Sequence, residues 1–151
     1  MERARPASGS DRAACVRLVG EALTHAASMR GGPALVGGAT VEDLLARWAH
    51  GDAPARMFVG EYSGAVVGVL AVGPQDREDQ RRGRIECCYV EHDARGVGVG
   101  TALMEAAVEW CAASGCAEVD ALALPGDRAT KQRLEAAGFT ARLLTLSRPL
   151  D

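Results

Sequence analysis

Apolar residues recur every three or four positions between residues 11 and 29, which predicts an amphipathic helix there. A short first strand is expected before it, at 2–7. The Gly-rich segment 30–39 follows and is expected to be a mobile loop. The acidic residues just after Thr40 resemble a capping box, so a second helix is predicted from there to about Gly51.

Strand patterns dominate the rest of the chain. The predicted strands are 57–62 and 65–72, which form a hairpin, followed by 84–91, 118–124 and a final strand at 139–146. Helices are predicted at about 98–114 and between Asp127 and Gly138, with Gly138 ending the second one. In the helix at 98–114, Leu103 and Ala107 share one face, and Glu105 lies on another.

Length and composition are those of one globular domain, which we assign to residues 1–151. The apolar fraction is 48% and the charged fraction 25%, and no apolar run approaches the roughly 20 residues of a membrane span. The first residues lack the apolar stretch of a secretory signal, so a cytoplasmic location and no membrane partner are expected.

The net charge of −3 argues against a nucleic-acid partner, because nucleic-acid binders usually carry a basic face. The basic run at 81–84 is interpreted as a solvated loop end rather than a binding patch. Five cysteines, an odd number, do not favour a disulfide framework. Cys87 and Cys88 are adjacent in a predicted strand, so their side chains should point to opposite faces and not share a metal ion. No metal site is therefore expected.

The candidate chemistry lies between 84 and 124, where a strand, a glycine loop, a helix and a strand follow one another. Gly96, Gly98 and Gly100 can expose several backbone N–H groups just before the helix, whose positive dipole end adds to them. Such a loop binds a pyrophosphate, and Arg95 can add a fixed positive charge. A plain glycine-rich turn remains the alternative.

Two other phosphate-binding motifs fit this loop poorly. A Walker A loop needs Gly-Lys-Ser/Thr, but Lys131 is the only lysine in the chain. A dinucleotide fingerprint needs Gly or Ala at its third position, where this chain has Thr101 or Leu103, depending on the register. Asp120 lies at a suitable distance for a ribose contact, so a nicotinamide nucleotide stays open as a disfavoured alternative.

The run from Arg95 to Gly100 matches Arg/Gln-x-x-Gly-x-Gly/Ala and follows Tyr89-Val90-Glu91-His92. This resembles the acetyl-CoA-binding motif of the GCN5-related N-acetyltransferase (GNAT) family. The order of elements and the terminal Gly138-Phe139 extend the resemblance over nearly the whole chain. The resemblance implies an α/β fold with a mixed, mostly antiparallel sheet of six to seven strands and about four helices.

The resemblance also implies the roles of individual residues. The pyrophosphate of acetyl-CoA would be held by the loop residues Arg95, Gly96, Val97, Gly98, Val99, Gly100 and Thr101. The backbone of Val90 and His92 would pair with the pantetheine arm, and the Val90 N–H would polarise the thioester carbonyl. Asp127 stands where the family often has a cofactor-binding Asn, whereas a catalytic His92 side chain is a minor alternative.

One departure concerns the general acid, because Leu134 occupies the position of the Tyr that commonly protonates the CoA thiolate. A thiol of pKa near 8.5 can leave as thiolate, so activity does not depend on that Tyr. Glu86 is the candidate general base, and it is expected to share a strand face with Cys88 and Val90. An ion pair with a neighbouring arginine is the equally favoured structural interpretation of Glu86.

The leading hypothesis is an acetyl-CoA-dependent N-acetyltransferase that acetylates a primary amine by direct attack in a ternary complex. The acceptor is a small molecule or peptide amine, and its contacts are expected from the loops 29–39 and 73–82. An acyl-CoA sensor without turnover is the alternative, which Leu134 supports. Many GNAT proteins are dimers, so a homodimer is the assembly that the resemblance suggests.

Overall fold

The computed structural model describes residues 1–48 and 55–150. Its strands are β1 (Glu2–Pro6), β2 (Arg56–Tyr62), β3 (Ala65–Pro74), β4 (Arg82–Val90) and β5 (Glu118–Ala121). Its α-helices are α1 (Arg12–Ala27), α2 (Gly32–Val36), α3 (Val41–Trp48), α4 (Val99–Ala113) and α5 (Arg128–Ala136). Short 3₁₀ turns lie at Gly9–Asp11 and His92–Ala94.

The five strands form one sheet in the order β1-β2-β3-β4-β5. The first three pairs are antiparallel and β4 pairs with β5 in parallel, so the predicted mixed, mostly antiparallel sheet is confirmed. The turn between β2 and β3 consists of Ser63 and Gly64, both with positive φ, as a tight hairpin requires. The expectation of six to seven strands is too high for the described residues, which form five.

The missing strand is the predicted one at 139–146, where the described chain has no regular structure. Leu143, Leu144 and Leu146 are 83–92% exposed. A strand forms only where its N–H and C=O groups meet a neighbouring strand, and these residues meet none in the described part of the chain. The local apolar pattern therefore predicted a strand that long-range pairing does not supply.

Two apolar cores cover the two faces of the sheet. The core on one face packs α4 and α5 onto the sheet through Leu103, Met104 and Leu134. On the other face, α1 and α3 supply Leu18 and Trp48. Leu103 and Ala107 of α4 are buried and Glu105 is exposed, as predicted. The architecture is a sheet between two helical layers.

The segment 30–39 is not entirely a loop, because α2 forms within it. Pro33 occupies a first-turn position of this helix, where its missing N–H costs no hydrogen bond. Gly31 and Gly37, with φ of 82° and 59°, flank the helix in the left-handed region. Two of the glycines that suggested a loop therefore mark the two ends of α2. The predicted end of the second helix near Gly51 lies outside the described residues, which stop at Trp48 and resume at Ala55.

Strand β4 carries the two irregularities that shape the site. Ala71 pairs with Cys87 but Val72 pairs with Ile85, so Glu86 is an extra residue and forms a β-bulge. The parallel pairing with β5 covers only 82–85, and the β5 side of β4 is open from Glu86 to Val90 in the described chain. Strands β4 and β5 therefore part at the bulge.

The opposite orientations predicted for Cys87 and Cys88 are confirmed. Cys87 packs against the core of α1 and α3, and Cys88 packs against the core of α4 and α5, so the two side chains point to opposite faces as expected. All five cysteines are free thiols. Within 1–48 and 55–150, no helix is long and apolar enough to cross a membrane, and no cluster of three side chains suited to a metal ion is found.

Candidate acyl-CoA site

The predicted phosphate loop lies at the N-terminus of α4, as the sequence indicates. Gly96 and Gly98 have φ of 87° and 91°, and this left-handed geometry turns the chain sharply into the helix. Gly98 is the N-cap residue, and among the described side chains none caps the helix there. The first N–H groups of α4 thus lack intrahelical acceptors and face the loop.

This loop has room for an anionic group. A Cβ placed on Gly96 would meet no atom within 4 Å, whereas one placed on Gly98 would lie 3.3–3.5 Å from the Glu2 side chain, and both glycines are exposed. The donor set of exposed backbone N–H groups at a positive helix end suits a pyrophosphate. Val97 and Val99 point inward and pack against the core, whereas Thr101 is exposed on the first turn. The residues therefore fit the phosphates of CoA.

Arg95 connects the loop to the end of β4. Its Nε donates a hydrogen bond to the Val90 carbonyl at 2.9 Å, and its guanidinium lies 5.6 Å from the centre of the Tyr89 ring. The predicted fixed positive charge is therefore held at the junction of strand and loop. It also fixes the position of the peptide groups around Val90.

The peptide groups of Val90 point toward the opening between β4 and β5. The Glu91 N–H donates to the Val67 carbonyl at 2.9 Å, so Glu91 faces β3. Because neighbouring residues of a strand turn their N–H and C=O groups to opposite sides, those of Val90 face away from β3. The hydrogen bond from Arg95 to the Val90 carbonyl agrees with this direction. An extended ligand can bind such an open edge as an added strand.

A cavity of about 670 Å³ occupies the opening and reaches both faces of the sheet. From the side of α1 to α3 it is lined by apolar residues such as Leu23 and Met29, together with Trp48. From the side of α4 and α5 it is lined by Met104 and Leu134. Among the described lining residues, five arginines face two carboxylates, so the cavity carries a net positive charge that suits an anionic ligand.

Glu86 lines this cavity, but the expectation that it shares a face with Cys88 and Val90 is wrong. The bulge shifts the alternation by one residue, so Glu86 lies on the side of α3 whereas Cys88 and Val90 pack toward α4. The Glu86 Oε2 accepts a hydrogen bond from Trp48 Nε1 at 2.5 Å. The Arg47 Nη2 lies 3.7 Å from Oε1, so the alternative interpretation of an ion pair is also met.

Two other predicted site residues, Asp127 and His92, differ in how they relate to the cavity. Asp127 caps α5 by accepting hydrogen bonds from the Thr130 N–H at 3.1 Å and the Thr130 hydroxyl at 2.6 Å. It also lines the cavity. His92 is exposed in the 3₁₀ turn after β4 and lies outside the cavity lining. Leu134 is buried at 8% exposure, and its hydrocarbon side chain has no proton to donate.

The cavity residues that sequence reasoning missed include Arg47, Trp48 and Arg133. Trp48 follows the helical periodicity of α3 and is indistinguishable in sequence from a core residue. Arg133 is one of sixteen arginines and carries no motif. Of the two loops expected to contact an acceptor, 29–39 lines the cavity through residues that include Leu35, and 73–82 does not contribute to it.

A scan against protein-family models matches residues 21–139 to the acetyltransferase (GNAT) family. The chain belongs to the GNAT family. No curated protein matches this GNAT chain significantly. The family assignment supports acetyltransferase activity in general, and the resemblance inferred from the loop motif is confirmed.

Solved structures share the GNAT fold with this chain at low identity. A tetramutant of the BH1408 protein from Bacillus halodurans is 14% identical with a TM-score of 0.79, covering 97% of this chain and 99% of that one. An acetyltransferase from Trypanosoma brucei is 24% identical with a TM-score of 0.69, covering 99% and 100%. A ribosomal-protein-alanine N-acetyltransferase from Brucella melitensis is 16% identical with a TM-score of 0.72, covering all of both chains.

Proposed function

We propose that this GNAT protein transfers the acetyl group of acetyl-CoA to a primary amine by direct attack in a ternary complex. One observation supports the proposal above the others. The open edge of β4 at 86–90 runs into Arg95, which binds the Val90 carbonyl and leads into the uncapped N-terminus of α4. Strand-type hydrogen bonds and an anion site thus follow one another along a single path.

The loop holds the phosphates of CoA through backbone N–H groups and the dipole of α4. Arg95 adds a positive charge at the start of the loop, and the other cationic side chains of the cavity add to the potential. When it is bound, CoA supplies an acetyl group activated as a thioester. The exposed peptide groups of β4 orient the extended arm that carries this group.

The Val90 N–H stabilises negative charge on the acetyl oxygen during attack. It points into the opening between β4 and β5, and Arg95 fixes the peptide that follows it. A preorganised backbone donor of this kind stabilises an oxyanion at little reorganisation cost. Val90 itself is 2% exposed and its side chain packs in the core, which holds the donor still.

Glu86 accepts the proton that the amine must lose. A primary amine such as a lysine side chain has a pKa of about 10.4 and is mostly an ammonium ion near neutral pH, so it cannot attack. Glu86 reaches the cavity from the side of α3, whereas Cys88 and Leu134 line it from the side of α4 and α5. The amine therefore enters across the apolar wall of α1 and α2, opposite the thiol end of CoA.

Calorimetric titration with acetyl-CoA, CoA, NAD and ATP tests the cofactor assignment. Acetyl-CoA and CoA should bind, and NAD and ATP should not compete with them. A ligand at 100 times its Kd also stabilises the protein by about 2.7 kcal/mol, so thermal unfolding gives a second readout. Binding of NAD without binding of acetyl-CoA would reject the proposal in favour of the nucleotide alternative.

The second candidate function is an acyl-CoA sensor without turnover. The observation that favours it is the buried Leu134, which leaves the usual acid position without a proton donor. Both candidates predict binding of acetyl-CoA, and only the first predicts an acetylated amine. Product formation with a panel of amines therefore separates them.

A further inference from the structure

Arg133 lies in the cavity between the phosphate loop and β4. It projects from α5 into the cavity, and a Cβ placed on Gly100 would lie 2.7 Å from its Nε and 2.8 Å from its Cζ. Unlike Gly96 and Gly98, Gly100 has ordinary helical φ. The guanidinium of Arg133 therefore rests against the bare Cα of Gly100.

The same guanidinium acts on the thiol of Cys88 on the facing strand. Burial raises the pKa of the Cys88 thiol, and the positive charge of Arg133 partly opposes that rise. Arg133 thus spans from the first turn of α4 to β4, two residues before Val90. The charge of Arg133 would therefore favour a thiolate over a thiol at a sulfur atom placed beside it in the cavity.

No carboxylate neutralises Arg133 within the described part of the chain. Arg82 has ion pairs with Glu118 and Asp120 on the neighbouring strand, but Arg133 has no ion pair of this kind. The carboxylate of Asp127 is engaged by Thr130. Arg133 therefore presents a cationic donor to the cavity, next to the buried Leu134 where a proton donor is missing.

We propose that Arg133 stabilises the thiolate of CoA that leaves during acetyl transfer, in place of a general acid. This inference rests on the proposed function. As the bond from the amine nitrogen to the acetyl carbon forms, the bond from that carbon to sulfur breaks and its electron pair stays on sulfur. Arg133 offsets this charge with N–H donors and keeps its own proton, since a guanidinium does not deprotonate in proteins. The amine proton passes to Glu86, and solvent later protonates the thiolate.

The pKa of the thiol in bound CoA tests the proposal without any turnover. Ultraviolet absorbance of the thiolate is titrated against pH for CoA bound to the wild-type protein. The same titration with desulfo-CoA, which lacks the sulfur, subtracts the five cysteines of the chain. We expect the bound thiol to titrate about 1–3 pH units below its value in Arg133→Gln, because an opposite charge at close range shifts a pKa by that amount.

Two variants sharpen the titration. In Arg133→Lys the pKa of the bound thiol should stay close to the wild-type value, because the positive charge is kept. Lys131→Gln removes an exposed cation two residues away on α5 and should change nothing. Circular dichroism checks that each variant is folded. With a working acceptor, Arg133→Gln should also lower kcat more than it changes the KM for acetyl-CoA.

Three results would overturn the inference. If the bound thiol has the same pKa in the wild type and in Arg133→Gln, Arg133 does not act on the sulfur. If Arg133→Gln raises the Kd for desulfo-CoA and the Kd for CoA by the same factor, Arg133 binds the phosphates instead. If the wild-type protein binds neither CoA nor desulfo-CoA, the proposed function fails and this inference fails with it, which the binding data alone reveal.

Discussion

Trp48 Nε1 donates a hydrogen bond to Glu86 Oε2 over 2.5 Å and joins α3 to the bulge of β4. The indole is buried at 3% exposure, so packing fixes its position. Arg47, the preceding residue of α3, approaches the other carboxylate oxygen at 3.7 Å. One helical turn thus holds the candidate base in a single orientation toward the cavity.

Replacing this carboxylate should impair proton removal more than cofactor binding. Glu86→Gln keeps the size of the side chain and an oxygen for Trp48, but it cannot accept a proton. We expect kcat to fall by about 10²–10⁴-fold. The rate should rise again toward alkaline pH, where more of the amine is already deprotonated. Initial rates across pH, with the acetylated product measured by mass, report both effects.

Glu109→Gln on the exposed face of α4 is the matched control and should behave like the wild type. Trp48→Phe removes the indole donor but leaves the carboxylate, so kcat should fall less than in Glu86→Gln. If Glu86→Gln has wild-type rates and an unchanged pH profile, the contacts of Glu86 with Arg47 and Trp48 are structural only.

The left-handed glycine at the start of α4 should be required for CoA binding. In Gly98→Val, a branched side chain strains the positive φ of 91° and covers the N–H groups of the first turn. We expect the Kd for CoA to rise more than tenfold, which corresponds to at least about 1.4 kcal/mol. Arg95→Ala should weaken binding less, because the backbone N–H groups remain. Calorimetry measures both.

Gly115→Val supplies the control for Gly98→Val, because it imposes similar strain at the opposite end of the same helix. Gly115 has φ of 81°, and a Cβ there would meet no atom within 4 Å. Its variant should lose stability through backbone strain and retain the wild-type Kd. Equal losses of affinity in the two glycine variants would mean that the effect comes from a weakened helix, and the phosphate site would have to lie elsewhere.

The buried carboxylate of Asp11 should make folding stability depend on pH. Hydrogen bonds from the Arg5 guanidinium, at 2.8 Å and 2.9 Å, hold the pKa of Asp11 well below its usual range. A lowered folded-state pKa stabilises the protein above the unfolded value of about 3.9, and the stabilisation is lost as the pH falls toward the folded value. Urea unfolding of Asp11→Asn should show a loss of about 1–3 kcal/mol at pH 7.

The difference between the wild type and Asp11→Asn should therefore shrink below pH 4. Asp79→Asn, an exposed residue of the segment 73–82, should change the free energy of unfolding at neither pH. A difference that stays constant down to pH 2.5 would show that the effect of Asp11 does not come from its charge.

The exposed leucines after α5 should contribute little to stability. The double variant Leu143→Ser and Leu146→Ser alters two side chains that are 84% and 92% exposed. We expect its Tm to match the wild type, since surface substitutions usually change stability by less than about 0.5 kcal/mol. Leu103 of α4 is fully buried in the core, so Leu103→Ala should instead lower the free energy of unfolding by about 2–5 kcal/mol. A clear drop in Tm for the double variant would show that these leucines are packed in solution.

Local chemistry explains what could be predicted from the sequence. The buried and exposed faces of α4 follow from periodicity, and the loop from Arg95 to Gly100 needs only glycines beside a helix start. Both features depend on residues close together in the chain. The mixed, mostly antiparallel sheet and the position of the phosphate loop followed from them and from the family resemblance.

Long-range pairing explains what could not be predicted. The bulge at Glu86 exists because the pairing of β3 with β4 leaves one residue of β4 without a partner. No local sequence signal marks that position. The bulge turned Glu86 to the side of Trp48, which strict alternation had excluded. The strand predicted at 139–146 fails for the same kind of reason, because its apolar pattern finds no partner strand in the described chain.

The transfer of an acetyl group from acetyl-CoA to an amine can be measured directly. Purified protein is incubated with acetyl-CoA labelled in the acetyl group and with a panel of primary amines of differing apolar size, and labelled product is quantified by mass spectrometry. We expect labelled N-acetyl product from at least one amine, formed with one equivalent of free CoA and reduced by at least about a hundredfold in Glu86→Gln. Tight binding of acetyl-CoA with no labelled product from any amine would contradict it and would favour a sensor.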